Sequence, residues 1–339
     1  ILLSITLLIY LLPQNKEYLC VKSTSGLRGF LALGIIFHHL SPWVTTGSEF
    51  SNFSYMGAYI VSIFFFLSAY GLYNQNENKR NYLDKFLVTR LSKILLPFFA
   101  VSLIYLLYRF VDGQLLDLNF FISLFKNGST IIFNGWFVNV IILLYIFFYT
   151  SFNFLQNKLL SIILNSILII FYICLAIKMG YGFWWYNSTL AFILGLIWAK
   201  YQDVIDKVLD RYYFVVLFSV AVLLFVSHHY GNLLSYLHIE DSYSYALAAN
   251  INNIIFTIYF VVSFLKKINF SNVFLILLGG ISFELYMIHG LVISMLGKIF
   301  VSSPVNDVLL TIFTLIISIS LAWIVNKLVN TITTKVNLL

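Results

Sequence analysis

The chain has 339 residues, 61% of them hydrophobic and only 10% charged, where a soluble domain carries about a quarter charged residues. That excludes a water-soluble globular enzyme, and no loop is longer than about 20 residues, too short for an independent soluble core. The formal net charge of +7 does not mark a nucleic-acid binder, because the basic residues sit in short loops between apolar runs, as the positive-inside rule distributes them.

Residues 1–12 would rise only about 18 Å as a helix, short of a hydrocarbon core of about 30 Å. They read as a partial N-terminal transmembrane helix, or alternatively as a signal-peptide tail, although no small-residue cleavage site precedes the loop. A single membrane domain is expected over 13–339. Apolar runs such as IVSIFFFLSAYGLY and NVIILLYIFFYTSF approach the ~20 residues that span a bilayer. With their loops they predict about ten further helices: 27–46, 55–73, 94–111, 131–152, 159–178, 183–200, 212–230, 245–265, 273–299 and 305–330. The fold class is therefore all-α, a polytopic transmembrane helical bundle.

Of the 20 Lys and Arg residues, all but Arg109, Lys126, Lys178 and Lys298 fall on alternate loops or in the C-terminal tail. That asymmetry puts those loops and the C-terminus in the cytoplasm. Asp112, Asp117, Glu240 and Asp241 fall on the other side, where Trp184, Trp185 and Tyr186 suit an aromatic belt. Cys20 and Cys174 have no redox or metal-ligand spacing, and no metal site is expected. No internal repeat is evident, which counts against an inverted-repeat transporter.

The stretch LRGFLALGIIFHHL sets Arg28 and His39 eleven residues apart. Eleven helical steps return to within ~20° of the starting face after a rise of ~16 Å, whereas His38 lies about 80° away. Arg28 and His39 can thus line one polar path, the arginine at its cytoplasmic mouth and the histidine inside. The competing reading makes Arg28 a snorkelling anchor and His39 a packing residue. Intramembrane ionisable groups are functional candidates by default. In KFLVTRLSKILLPFF, Arg90 and Lys93 are three apart and share a helical face, so with Arg28 they can hold phosphates. GGISFELYMIHG places Glu284 and His289 in helix 273–299. There His289 matches the depth of His39, and Glu284 is expected to pair with an arginine or lysine or to take up a proton. Two histidines at one depth suit acid–base chemistry, and a polar interhelical contact is the alternative for His289. His228 and His229 lie at an outer helix end and read as surface residues.

The segments LRGFLALGIIFHHL, FFFLSAYGLY, RLSKILLP, WFVNVIILLYIFFY, WWYNSTLAFILG and ISFELYMIHG run in order from about Leu27 to Phe300. In them the chain resembles the acyltransferase-3 family of integral membrane acyltransferases. The resemblance implies acetyl transfer from cytoplasmic acetyl-CoA to a hydroxyl of an extracytoplasmic or envelope glycan, in a bacterial plasma membrane. It makes His39 catalytic and Arg28 essential near the acyl-CoA, and it matches Arg90 to the first arginine of a basic pair. Lys93 replaces the second arginine, keeping the charge and losing the bidentate fork. Ala69 stands where the family commonly has the glycine of Ser-Gly. On this reading Arg28, Arg90 and Lys93 hold the donor phosphates and His39 is the general base, with a transient acyl-histidine as a second route. His289 and Glu284 join it as catalytic candidates, while Ser68 and Tyr286 orient the acceptor. The rival functions are a proton-coupled transporter or flippase of a glycan or small molecule, and an inactive membrane sensor.

Overall fold

The computed structural model describes residues 2–44, 46, 50–114, 116–126, 129–236, 241–300 and 303–335; Glu240 lies outside them. Among the described residues there are thirteen α-helices and no strand: α1 Leu2–Leu11, α2 Val21–Leu40, α3 Gly57–Asn78, α4 Phe86–Val111, α5 Leu118–Lys126, α6 Trp136–Phe154, α7 Lys158–Lys178, α8 Leu190–Lys200, α9 Gln202–Tyr236, α10 Ser242–Phe260, α11 Val273–Gly280, α12 Ser282–Gly297 and α13 Pro304–Lys335. Seven of these are long and apolar enough to cross a membrane, and α11 with α12 makes an eighth if the bent pair is one span. The protein is thus an all-helical, multi-pass membrane protein.

The chain forms two compact units. The first comprises Ile1–Thr24, Ala58–Asp84 and Ile146–Asn272, and so holds α1, α3 and α7 to α10. Its α1 is tied down: Thr6 Oγ1 shares a hydrogen bond with the Tyr259 hydroxyl at 3.1 Å. Lys267 Nζ donates to the Tyr10 and Leu12 carbonyls at the helix's C-terminal end, where a cation satisfies orphan acceptors. A π-helical turn, Val261–Leu265, follows α10 and delivers Lys266 into the interior. There its ammonium meets Asp206 Oδ1 at 2.9 Å and the Tyr18 ring at 4.4 Å. Tyr18 donates to Asp206 at 2.9 Å and accepts from Trp198 Nε1 at 3.2 Å. Burial pushes the Tyr18 phenol above its ordinary range and keeps it a donor. This buried charge is tolerated because its neighbours satisfy it.

Ala69 causes no defect in the first unit. The close approach there is supplied by Gly195 of α8, where a Cβ would overlap the Phe66 carbonyl oxygen of α3 and crowd Ala69. Tyr186 departs from the expected aromatic belt. Phe183 and Trp184 are exposed, but Tyr186 is buried and its carbonyl accepts from Asn250 and Thr189. The loop turns inward after the short 3-10 turn Phe183–Trp185 because Asn250 offers a buried amide to its backbone.

The second unit comprises Ser25–Gly57, Lys85–Tyr145 and Val273–Leu339, and holds most of α2 with α4, α5 and α11 to α13. Several elements differ from the sequence expectation, α4 among them, which starts at Phe86 rather than at 94 and so takes in Arg90 and Lys93. α2 starts at Val21 and ends at Leu40 rather than spanning 27–46. The polar VKSTSG turn is helical because Thr24 Oγ1 bonds back to the Cys20 and Val21 carbonyls, and the end follows from Pro42, which disfavours helical backbone at Ser41. The run 273–299 is two helices bent by 76°. At the break, Ser282 Oγ donates to the Gly279 carbonyl at 2.9 Å and Asn326 Nδ2 to that of Gly280 at 3.4 Å, so the carbonyls released by the bend keep donors. α5 lies where the sequence predicts no helix, between 111 and 131; it is a two-turn amphipathic helix whose first turn is capped by Asp117 Oδ1 accepting from Phe120 N at 2.8 Å.

Candidate active site

The second unit carries every residue of the candidate site except Ser68. Arg28 and His39 lie on one uninterrupted helix, α2, two turns from its start and in its last turn. The eleven-residue interval therefore keeps its ~16 Å rise and its shared face. Arg28 is exposed and makes no ion pair among the described residues. It lies close enough to Arg90 and Tyr145 for their charges to act on it. Arg90 and Lys93 occupy the first two turns of α4, Arg90 partly buried and Lys93 exposed.

At the other end of the interval, the His39 and His289 rings lie 5.0 Å apart at 32°. The depth match was expected from counting along a straight helix. With α11 and α12 bent, that count does not hold, and the proximity comes from α12 running alongside α2 after the break. The contacts select a tautomer for each neutral ring. His289 Nδ1 donates to the Leu285 carbonyl at 3.0 Å, so its Nε2 carries a lone pair. That Nε2 is buried and has no hydrogen-bond partner among the described residues. His39 Nε2 accepts from Asn134 Nδ2 at 3.3 Å and so also presents a lone pair on that edge. His38 points elsewhere: its Nδ1 donates to the Phe53 carbonyl at 2.9 Å, and its ring lies where a Cβ on Gly57 would be.

Tyr286 is buried one turn before His289, 6.0 Å from it between ring centroids, and its hydroxyl donates to the Asn134 carbonyl at 2.9 Å. Tyr105 of α4 donates to the Met287 carbonyl at 3.0 Å and fixes the same turn of α12. Glu284 is not gathered into this group. It is buried, and its partner is the neutral Asn326 amide of α13 at 2.8 Å rather than the expected arginine or lysine. Ser68 lies on α3 in the first unit. His228 and His229 are exposed.

Sequence reasoning missed Asn134 and Tyr105. Asn134 stands alone in a short loop before α6 and Tyr105 in an apolar helix, so neither breaks a period. A polar residue directly before Gly135 and Trp136 was the one signal available.

The arrangement can abstract a proton at His39 or His289, hold an anion at Arg28 and Arg90, and offer a neutral donor at Asn134. No curated protein and no solved structure matches the chain. A family model does: the acyltransferase domain of the acyltransferase-3 type matches residues 22–327, from the first turn of α2 to Lys327 of α13, one residue past Glu284's partner Asn326. Nearly the whole sequence and every candidate residue fall within that match, and the chain belongs to the acyltransferase-3 family of membrane acyltransferases.

Proposed function

We propose that the protein is an O-acetyltransferase of a bacterial plasma membrane, taking acetyl from cytoplasmic acetyl-CoA and delivering it to a hydroxyl of an extracytoplasmic or envelope glycan. The single observation that supports this most is the unbroken α2, which separates an exposed arginine cluster from a histidine pair by ~16 Å. That rise resembles the reach of the thiol arm of CoA. Phosphates bind at Arg28, Arg90 and Lys93, where several charge-assisted contacts converge. The arm lies along α2 and presents the thioester at His39.

Neutral His39 accepts the proton of the acceptor hydroxyl through Nε2 as the oxygen attacks the thioester carbon. His289, with its Nε2 lone pair buried and unpartnered, receives a hydrogen bond from the acceptor and orients it. Tyr286 holds the loop that carries Asn134. The C-terminus is cytoplasmic on this reading.

The test is acetyl-CoA binding and thiol release by the purified protein. Arg28→Ala and Arg90→Ala weaken binding, and the remaining affinity loses its salt dependence in part. His39→Ala abolishes transfer while still binding acetyl-CoA, and His38→Ala is milder because His38 packs against Gly57 and bonds to Phe53. Transport of a glycan or small molecule without any need for acetyl-CoA would instead make the protein a transporter. Full activity in His39→Ala would remove it as the base.

A further inference from the structure

We infer that Asn134 is the oxyanion donor of acyl transfer: its side-chain amide rests on His39 and turns to the carbonyl oxygen when the acceptor hydroxyl takes its place. The inference rests on the proposal that His39 is the base toward a thioester. Asn134 Nδ2 carries two hydrogens. One points to His39 Nε2 at 3.3 Å, and the other has no partner among the described residues. A donor this close to the nitrogen that receives the proton lies within hydrogen-bond reach of the oxygen of the carbonyl that the acceptor attacks there.

Oxyanion donors act by being held in place beforehand, and the loop bearing Asn134 is held at several points. Tyr286 of α12 donates to the Asn134 carbonyl at 2.9 Å. Thr130 Oγ1 donates to the Ile132 carbonyl at 2.8 Å, and Gly135 N donates to the same residue at 3.0 Å. A Cβ on Gly135 would overlap Thr130 Oγ1, so the turn closes only on glycine. Beside the amide, a Cβ on Gly290 would stand 3.5 Å from Asn134 Nδ2. The bare glycine therefore keeps open the space next to the donor, one residue after His289.

The step balances as follows. The acceptor O–H gives its proton to His39 Nε2 as its oxygen forms a bond to the thioester carbon. The carbonyl π pair moves onto oxygen, where Asn134 Nδ2–H holds the negative charge. The tetrahedral species collapses by breaking the C–S bond, and the departing sulfur takes the proton from His39. The products are the O-acyl ester and CoA thiol, with His39 neutral again. Asn134 then returns to His39 Nε2.

Asn134→Asp keeps the shape and removes both donors; Asn134→Ala removes the side chain. Thiol release from acetyl-CoA by membrane vesicles that retain their own acceptors is measured beside the dissociation constant for acetyl-CoA. Each variant is expected to lose about 10²–10³-fold in kcat, with acetyl-CoA binding changed less than about threefold. In Asn134→Asp the acid limb of the pH–rate profile also moves up, since a carboxylate facing His39 favours its protonated form. Asn134→Asp within about threefold of wild type, or a loss confined to acetyl-CoA binding, overturns the inference. If either occurs while His39→Ala is inactive, only the role of Asn134 falls. Activity surviving in His39→Ala overturns the base and the oxyanion donor together.

Discussion

Glu284 and His289 are five residues apart on α12, and that interval separates their roles. Five helical steps carry Glu284 about 7.5 Å along the axis and about 140° around it, away from the edge that meets His39. Its hydrogen bond runs to Asn326 of α13, and Asn326 in turn accepts from Asn330 at 2.9 Å. Glu284 therefore joins α12 to α13 through a polar chain. Glutamine keeps an oxygen for the Asn326 amide, so Glu284→Gln is expected to retain turnover within a few fold and to unfold at the wild-type temperature. Glu284→Ala leaves that part-buried amide with only its longer bond to the Gly280 carbonyl, at a cost of about 1–3 kcal/mol in thermal unfolding. A large loss of turnover in Glu284→Gln with unchanged unfolding would return it to acid–base chemistry. The sequence exposes Glu284 as an anomaly, because a carboxylate in an apolar run stands out. It does not expose its partner, because Asn326 lies 42 residues on and carries no charge to pair by counting. Asn134 is illegible for the same reason: an amide near the start of the expected helix 131–152 is ordinary until a histidine is seen beside it.

At the scale of elements, two glycines in one pair do different work. Gly279 meets α2 directly: a Cβ on it would overlap the Ser25 carbonyl oxygen, and a Cβ on Gly29 would overlap the Leu275 carbonyl oxygen. The two backbones thus touch where α11 crosses the first turns of α2. A Cβ on its neighbour Gly280 meets nothing within 4 Å. Gly279→Ala is therefore expected to force α2 and α11 apart at a cost of about 1–3 kcal/mol, as overpacking does. Gly280→Ala is expected to unfold near wild type, and thermal unfolding in detergent compares the two. Equal effects would mean that the bend, rather than the contact, is what glycine serves. The helices themselves were legible from apolar periodicity, and eleven expected runs each find a helix. Their breaks and ends were less so. Pro42 ends α2 although the expected helix runs through it to residue 46, and the Gly279–Gly280 pair reads equally as a tolerated interruption or as a 76° bend. Only α2 packing against it decides.

For the whole molecule, the orientation of the helices rests on whether α11 and α12 cross the membrane or turn back within it, since a re-entrant pair would reverse the side of everything that follows. Contacts within the second unit favour a crossing. Gly279 touches α2 at Ser25, His289 lies beside His39, and Gly297 abuts Trp43 beyond the end of α2. The pair thus travels with α2 from one end to the other. At its far end Lys298 Nζ binds Asp112 Oδ1 at 2.8 Å, just past the end of α4; the hydrogen bonds from Lys298 and Gln114 hold the Asp112 carboxyl below the usual carboxylate range. α13 then runs back. Asp307 Oδ2 accepts from Thr46 N at 3.0 Å near that same end, and Asn326 meets Glu284 and Gly280 near the bend. Arg28, Arg90, Lys93 and Lys327 accordingly gather toward one end of the unit, and Asp112, Lys298 and Asp307 toward the other. The positive-inside rule predicts that the first end faces the cytoplasm. A fluorescent protein fused after Thr334 should mature and glow, while alkaline phosphatase fused there stays inactive; both results should reverse for fusions after Asp112. Active phosphatase after Thr334 would mean that α11 and α12 turn back within the membrane, which would put the end of α13 on the side opposite to that expected.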